Sequence, residues 1–468
     1  MIDYRIEEDT LGKVKVPKDA LWGPQTERSR NNFPTGPIMP VQLIRALINI
    51  KLAAAKVNQQ QGSLATSKAE LIKKACQQLL SLTDVDLMKD FPLRVFQTGS
   101  GTQTNMNVNE VIANLCQQLD ANVEILPNDD VNHSQSSNDT FPSAMNIAAY
   151  QSLTKLETEI KHLIAILKQK QTEFWRVVKI GRTHLQDATP LTFGQEISGW
   201  VSTLEHDLHY LQETSQTLLE LPIGGTAVGT GLNTLPEFDN EMIKTLSSMY
   251  SLAFRTQNKF FGLSSHSGLS ATHGIVRTLA ADLLKIANDI RFLASGPRAG
   301  YGELSIPANE PGSSIMPGKV NPTQAEAITM AATRVMGNDT TIEVAASQGN
   351  FEMNVYKPVI IFSFLESTSL LTGILHNFTD KLVAGITVNA DRMQALVDNS
   401  LMTVTALSPH IGYHKAAEIA QLAHREGTNL KAAALKLGYV SATDFDNWMK
   451  PIEMTKIERQ DSSSRPEN

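Results

Sequence analysis

A near-heptad rhythm in the middle of the chain constrains its fold more than any other feature. Ile197, Val201, Leu204, Leu208, Leu211, Ser215 and Leu218 follow alternating steps of four and three. Ile275, Leu279, Leu283, Ile286, Ile290 and Leu293 nearly repeat that rhythm. Such spacing over roughly 20 residues marks long helices packing at shallow angles. A helix of ~30 residues runs ~45 Å, more than one compact domain usually needs. The stripes therefore predict a bundle completed by other subunits, a homo-oligomer with closed symmetry. Helical patterns also begin at Val41, with Leu43, Ile44, Leu47, Ile48 and Leu52 on one stripe, and cover Ala69–Leu82, about Met106–Leu119, a long stretch from near Phe141, and Thr323–Val335. Past Asp391 they shorten to Arg392–Val397, Ile411–His424 and Leu430–Leu437. Residues 1–40 read as an irregular arm or small strands, and no strong strand series occurs elsewhere. The predicted fold is mostly α, divided at 1–135, 136–391 and 392–468, and the tail Gln460–Asn468 is expected to be disordered.

Bulk properties remove several function classes. The formal net charge of -7 argues against general nucleic-acid binding. The run Ala416–Gly438 resembles a helix-turn-helix but lacks a basic recognition helix, so a small packing domain is expected. Two cysteines, Cys76 and Cys116, are too few for the usual iron–sulfur ligand set or a disulfide scaffold. No segment reaches 18 apolar residues, the densest being Val359–Leu365, so no membrane span is expected. The acidic N-terminus speaks against signal and transit peptides, and a cytoplasmic location follows as the expectation.

Four polar loops interrupt the helices: 97–105, 128–140, 181–190 and 301–322. Ser-Ser-Asn-Asp at 136–139 is good N-cap chemistry on its own. His184, taken alone, would as readily be a structural histidine. Together the loops gather hydroxyls, amides, one His and one Lys at predicted helix starts, the natural seat for carboxylates. None has metal-ligand spacing. The fourth loop is the richest, with three Gly and four Pro over Tyr301–Pro322 and Ser313, Ser314, Lys319 and Asn321 at its centre. It is not a phosphate loop: five residues separate Gly312 from Gly318-Lys319, and Val320 stands where a Ser or Thr would bind Mg²⁺.

The stretch Gly312-Ser-Ser-Ile-Met-Pro-Gly-Lys-Val-Asn-Pro322 resembles the signature of the fumarase/aspartase superfamily. The resemblance extends from Leu21-Trp-Gly-Pro-Gln-Thr26 to Asp444-Phe-Asp446. Aspartases usually carry Gln at the position of His184, Thr at that of Ser137 and Ala at that of Gly318, so this chain is more similar to the class II fumarases, which use neither metal nor cofactor. The resemblance implies a three-domain helical fold whose long helices form a 20-helix core in a homotetramer, with active sites shared by three subunits. It implies reversible hydration of fumarate to malate, with loss of ammonia from aspartate as the alternative. By the same resemblance Ser313 is the base that takes the C3 proton of malate. Lys319 and Asn321 hold a substrate carboxylate, His184 handles the water, and Glu326 is its partner. Ser100, Gly101, Thr102, Ser136, Ser137, Asn138, Thr183, Ser314 and Val320 complete the dicarboxylate contacts. Fumarases of this class often have a second, peripheral dicarboxylate site with His and Arg ahead of Pro-Asn-Asp. Here Glu124-Ile125-Leu126 precede it, which leaves Asn128 and Asp129 as a second site without cations, where tight binding is not expected.

Overall fold

The computed structural model describes residues 3–456, so the Gln460–Asn468 tail lies outside the described residues. The chain forms two compact units. The first takes the described residues up to Glu157 together with Leu208–Ala280 and Ala331–Thr372. The second takes Thr158–Asp207, Ala281–Met330 and the described residues from Gly373 onward. Five helices contribute residues to both: Ser137–Glu173, Phe193–Ser215, Ser267–Leu293, Thr323–Ala346 and Lys357–Lys381.

The periodicity translates into burial. Ile197, Val201, Leu204, Leu211, Leu218, Leu279, Leu283, Ile286, Ile290 and Leu293 are all buried, while Leu208 and Ile275 are half-buried. In the first unit Leu43, Ile44, Leu47 and Ile48 of helix Val41–Gln60 are fully buried, and this helix packs on Thr66–Ser81. The arm is a hairpin of strands Tyr4–Asp9 and Gly12–Pro17. Behind it the buried Glu110 carboxylate accepts from the backbone N–H of Gly23, Gln25 and Thr26, filling orphan donors at the start of helix Pro24–Asn32. One stretch, Lys357–Gly385, is long and apolar enough to cross a membrane, but 56% of its apolar 18-residue window is buried, and Ile360, Ile361 and Phe364 are buried as in a core helix.

Helix Thr102–Leu119 starts four residues earlier than its apolar pattern, on the left-handed Gly101, and Ser137–Glu173 likewise begins ahead of Phe141, on polar capping residues. In the second unit, residues 181–190 are not an open loop. They end a hairpin of strands Val178–Thr183 and Gln186–Thr192. The 301–322 segment contains the short strand Leu304–Ser305, paired antiparallel with Thr387–Val388. The small C-terminal helices pack around Leu407, Ile419, Ala434 and Phe445.

A carboxylic acid is buried beside the stripe. Asp207, 3% exposed, precedes Leu208, and one of its carboxylate oxygens has no hydrogen-bond partner. Burial, and after it the neighbouring Asp282 carboxyl, push Asp207 from 3.8 up to about 7. Below about pH 4 folded and unfolded chains both hold this proton; between there and neutrality only the folded chain does. Stability therefore falls as pH rises through that window and stays lowered above it. Asp207→Asn is expected to raise the melting temperature by roughly 5 °C at pH 8 and hardly at all near pH 4. A gain of equal size at both pH values would contradict this assignment.

Candidate active site

Each unit carries one group of the expected residues. In the first unit, Gly101 caps helix Thr102–Leu119 with φ 82°, and a Cβ there would stand 2.3 Å from Phe141. Glycine is required on both counts. The turn aligns three hydroxyls: Ser100 Oγ lies 2.9 Å from Thr102 Oγ1, which lies 2.8 Å from Ser137 Oγ. Ser136 and Asp139 form a capping box on helix Ser137–Glu173. The Asn138 N–H donates to Ser136 Oγ at 3.1 Å, and the Ser136 N–H donates to Asp139 Oδ1 at 2.9 Å. Asp139 Oδ2 accepts from the Gly224 and Thr226 N–H groups. Burial raises the pKa of Asp139, against the pull of these donors. Asn138 Nδ2 donates to the Ala227 carbonyl at 2.7 Å. The N-cap reading of this loop is thus correct, and it coexists with the hydroxyl cluster: two helix N-termini present Ser100, Thr102 and Ser137 together.

Asn128 and Asp129 are exposed on a π-helical turn, Pro127–Val131. The nearby cation, Lys68, is engaged with Asp130 at 2.8 Å, which leaves these two residues as an uncharged amide beside a carboxylate.

In the second unit, Thr183 and His184 sit at the tip of the hairpin, both exposed. The two-residue turn is His184-Leu185, with φ 57° and 60°. Positive φ at both central residues is the type I′ geometry that favours Asn-Gly, so this turn holds an imidazole at the expense of backbone strain. Arg182, just behind the tip, donates to Glu303 Oε2 at 2.7 Å and stacks 4.4 Å from the Tyr301 ring. It thereby ties the hairpin to the start of the 301–322 segment.

That segment closes on itself. The Gly312 N–H donates to the Lys319 carbonyl at 2.9 Å, and Asn321 Nδ2 donates to the Gly312 carbonyl at 2.7 Å. A Cβ on Gly312 would stand 2.5 Å from Lys319 O, so the closure needs glycine. Ser313 Oγ accepts from two backbone N–H groups, Ile315 at 3.2 Å and Met316 at 3.1 Å. Lys319, Val320, Asn321 and Glu326 line a cavity of about 700 Å³ together with Arg291 and Ser295. Among the described residues the Lys319 ammonium has no hydrogen-bond or ion-pair partner. A second cavity of about 560 Å³, lined by Thr183, Leu185 and Tyr301, shares Phe292 with the first. His184 lines neither cavity, and it shares no hydrogen bond or ion pair with Glu326. Ser314 is exposed beside Ser313.

Two residues of interest were invisible to sequence reasoning. Arg291 brings a guanidinium to the Lys319 cavity from inside an amphipathic helix, outside every polar loop. Lys51 sits in an apolar stripe but is wholly buried against the 128–140 loop. No local signal marks either one.

Long helices, a Gly-rich segment presenting a free lysine, and hydroxyls at two helix N-termini are the architecture of a helical lyase. The lyase family model matches residues 12–337, and the model of the fumarase C C-terminus matches residues 404–456. A class II fumarate hydratase from Listeria monocytogenes is 56% identical over 97% of this chain and 100% of its own length. One from Bacillus subtilis is 52% identical over 97% of this chain and 99% of its own. The crystal structure of recombinant class II fumarase from Schistosoma mansoni superposes with a TM-score of 0.93 at 40% identity, covering 97% of this chain and 99% of that one. The chain belongs to the class II fumarate hydratase family.

Proposed function

We propose that the chain catalyses reversible addition of water to fumarate, giving (S)-malate, as a hydro-lyase of the tricarboxylic acid cycle in the cytoplasm. The observation that carries this reading is the arrangement of Ser313 in an intact signature segment. In the malate direction a weakly acidic C3–H must be broken beside a carboxylate. A serine in water is too weak a base for that. Two backbone N–H groups aimed at Ser313 Oγ stabilise the alkoxide form that can act, as the preorganised donors of oxyanion sites do. The C3 proton passes to Ser313 Oγ, and the electron pair is taken up by the neighbouring carboxylate. Lys319 and Asn321 answer that charge; the Asn321 amide keeps one N–H free after bonding Gly312. The hydroxyl then leaves with a proton from His184, whose imidazole can both give and take one, and Glu326 is its partner across subunits. Ser100, Gly101, Thr102, Ser136, Ser137, Asn138, Thr183, Ser314 and Val320 hold the rest of the dianion.

Assembly belongs to the same reading. The near-heptad stripes are already buried within the single chain, so what supports a homotetramer with a 20-helix core and active sites shared by three subunits is the family resemblance together with the exposure of Ile315, Met316 and Val320. The segments 1–135, 136–391 and 392–468 are its three domains. The test is ultraviolet absorbance of purified protein mixed with malate or fumarate, a chelator being present. Fumarate formation and loss that survive the chelator are expected. Release of ammonia from aspartate without turnover of malate would replace this reading with the aspartase one.

A further inference from the structure

Lys51 is 0% exposed and has no carboxylate within ion-pair distance among the described residues. Buried charges are ordinarily paired with an opposite charge. This one is held by neutral oxygens instead: Nζ donates to Asn132 Oδ1 at 2.9 Å and to Gln135 Oε1 at 3.0 Å. Asn132 Oδ1 is a hub. It also accepts from Asn105 Nδ2 at 3.1 Å and Asn109 Nδ2 at 3.2 Å, both from helix Thr102–Leu119. Asn105 Oδ1 in turn accepts from Thr140 Oγ1 at 3.1 Å, in the first turn of helix Ser137–Glu173. Gln135 Nε2 donates to the carbonyls of Val131 and His133, pinning the loop from inside. Three elements thus meet around Asn132: helix Val41–Gln60 through the Lys51 ammonium, helix Thr102–Leu119 through Asn105 and Asn109, and the loop that delivers Ser136, Ser137 and Asn138.

We propose that Lys51 is a positioning residue for hydration: by holding Asn132 and Gln135 it sets the register of the 132–138 loop and so the alignment of Ser137 with Thr102 and Ser100. This rests on the fumarate reading of those hydroxyls. A hydrophobic side chain of similar length would suit a buried position better if packing were all that mattered, since buried ionic groups are often replaced by apolar ones at no cost in stability. The ammonium supplies what an apolar chain cannot, donors in two directions at once. Burial pushes Lys51 down to about 7, with Asp139 the main opposing influence and the Cys76 thiol the lesser one. The neutral amine would still have two N–H groups, enough for both contacts, so the loop register does not depend on the lysine's charge.

The test is steady-state kinetics of wild type, Lys51→Met and Gln135→Met, with thermal melts of each. Lys51→Met is expected to keep a melting temperature near that of wild type while kcat/KM falls about 10²-fold, as for a displacement of ~1 Å remote from the reacting atoms. Most of that fall is expected in KM, because the affected hydroxyls bind substrate rather than move protons. Gln135→Met removes one of the two acceptors, and with it the Nε2 contacts to Val131 and His133, while leaving the lysine, and is expected to raise KM in the same direction. It carries the test alone if Lys51→Met does not fold. Folded, active variants with unchanged KM would make Lys51 purely structural and overturn the proposal while leaving fumarate hydration intact. A wild type without malate or fumarate turnover would overturn both.

Discussion

Ser313→Ala is expected to lower kcat for malate dehydration by about 10³-fold, the middle of the range for loss of a positioned acid–base group. KM should change little. The hydroxyl makes no contact that holds the chain's overall fold: its oxygen accepts from the Ile315 and Met316 N–H groups within its own turn. The closure that shapes the segment, Gly312 with Lys319 and Asn321, does not pass through it. A circular dichroism spectrum and melting curve like those of wild type should therefore accompany the loss. Solvent-exchange of the C3 proton of malate gives the sharper reading, since it reports proton removal apart from departure of water. A variant that still exchanges that proton at the wild-type rate would move the base elsewhere, with His184 the first alternative.

The second large effect is on folding. Gly99→Ala would put a Cβ 1.3 Å from the carbonyl oxygen of Val355. The obstacle is backbone, and it is held: the Lys357 N–H next to it donates to the Gly99 carbonyl at 3.1 Å. Overpacking that side chains can absorb costs about 1–3 kcal/mol; here the strand of chain at 355–357 must itself move. A loss of at least about 3 kcal/mol is expected, read as a melting temperature lower by roughly 10 °C or as insoluble protein. Gly274→Ala is the control. Gly274 lies in helix Ser267–Leu293 with nothing within 4 Å of its added Cβ, and helix propensity favours that change by up to about 1 kcal/mol. Equal melting temperatures for the two variants would show that the 97–101 turn is not pinned as described.

The helices were legible because their apolar stripes are long and regular. Helix Leu430–Leu437 was bounded correctly, Gly438 in the left-handed conformation marking its end. The polar starts of helices Thr102–Leu119 and Ser137–Glu173 were less so, since a hydroxyl that caps a helix and one that binds a ligand look alike in sequence. Residues 181–190 read as a loop in sequence because the tip His184-Leu185 carries none of the Asn-Gly chemistry that announces a hairpin. The lyase signature was unmistakable for the opposite reason: Ser313, Lys319 and Asn321 lie in one short segment. Lys51 could not be found this way, because its partners are 81 and 84 residues away and a lysine in an apolar stripe reads as one that snorkels to water. Arg291, also inside a helix, is the same case.

The hairpin tip has a consequence for anyone who wants a hardier version of this enzyme. With φ 57° at His184 and 60° at Leu185, both residues sit where glycine or asparagine would rest more comfortably, at a penalty of order 1–3 kcal/mol each. A library selected only for survival at high temperature would drift toward Asn-Gly at these two positions, and each such step would be scored as an improvement. It would also delete the imidazole. With His184 in its proposed role, heat resistance and turnover pull against each other at one identifiable turn, and a stabilisation campaign should fix residue 184 and seek its gains elsewhere, Asp207 being the first place to look.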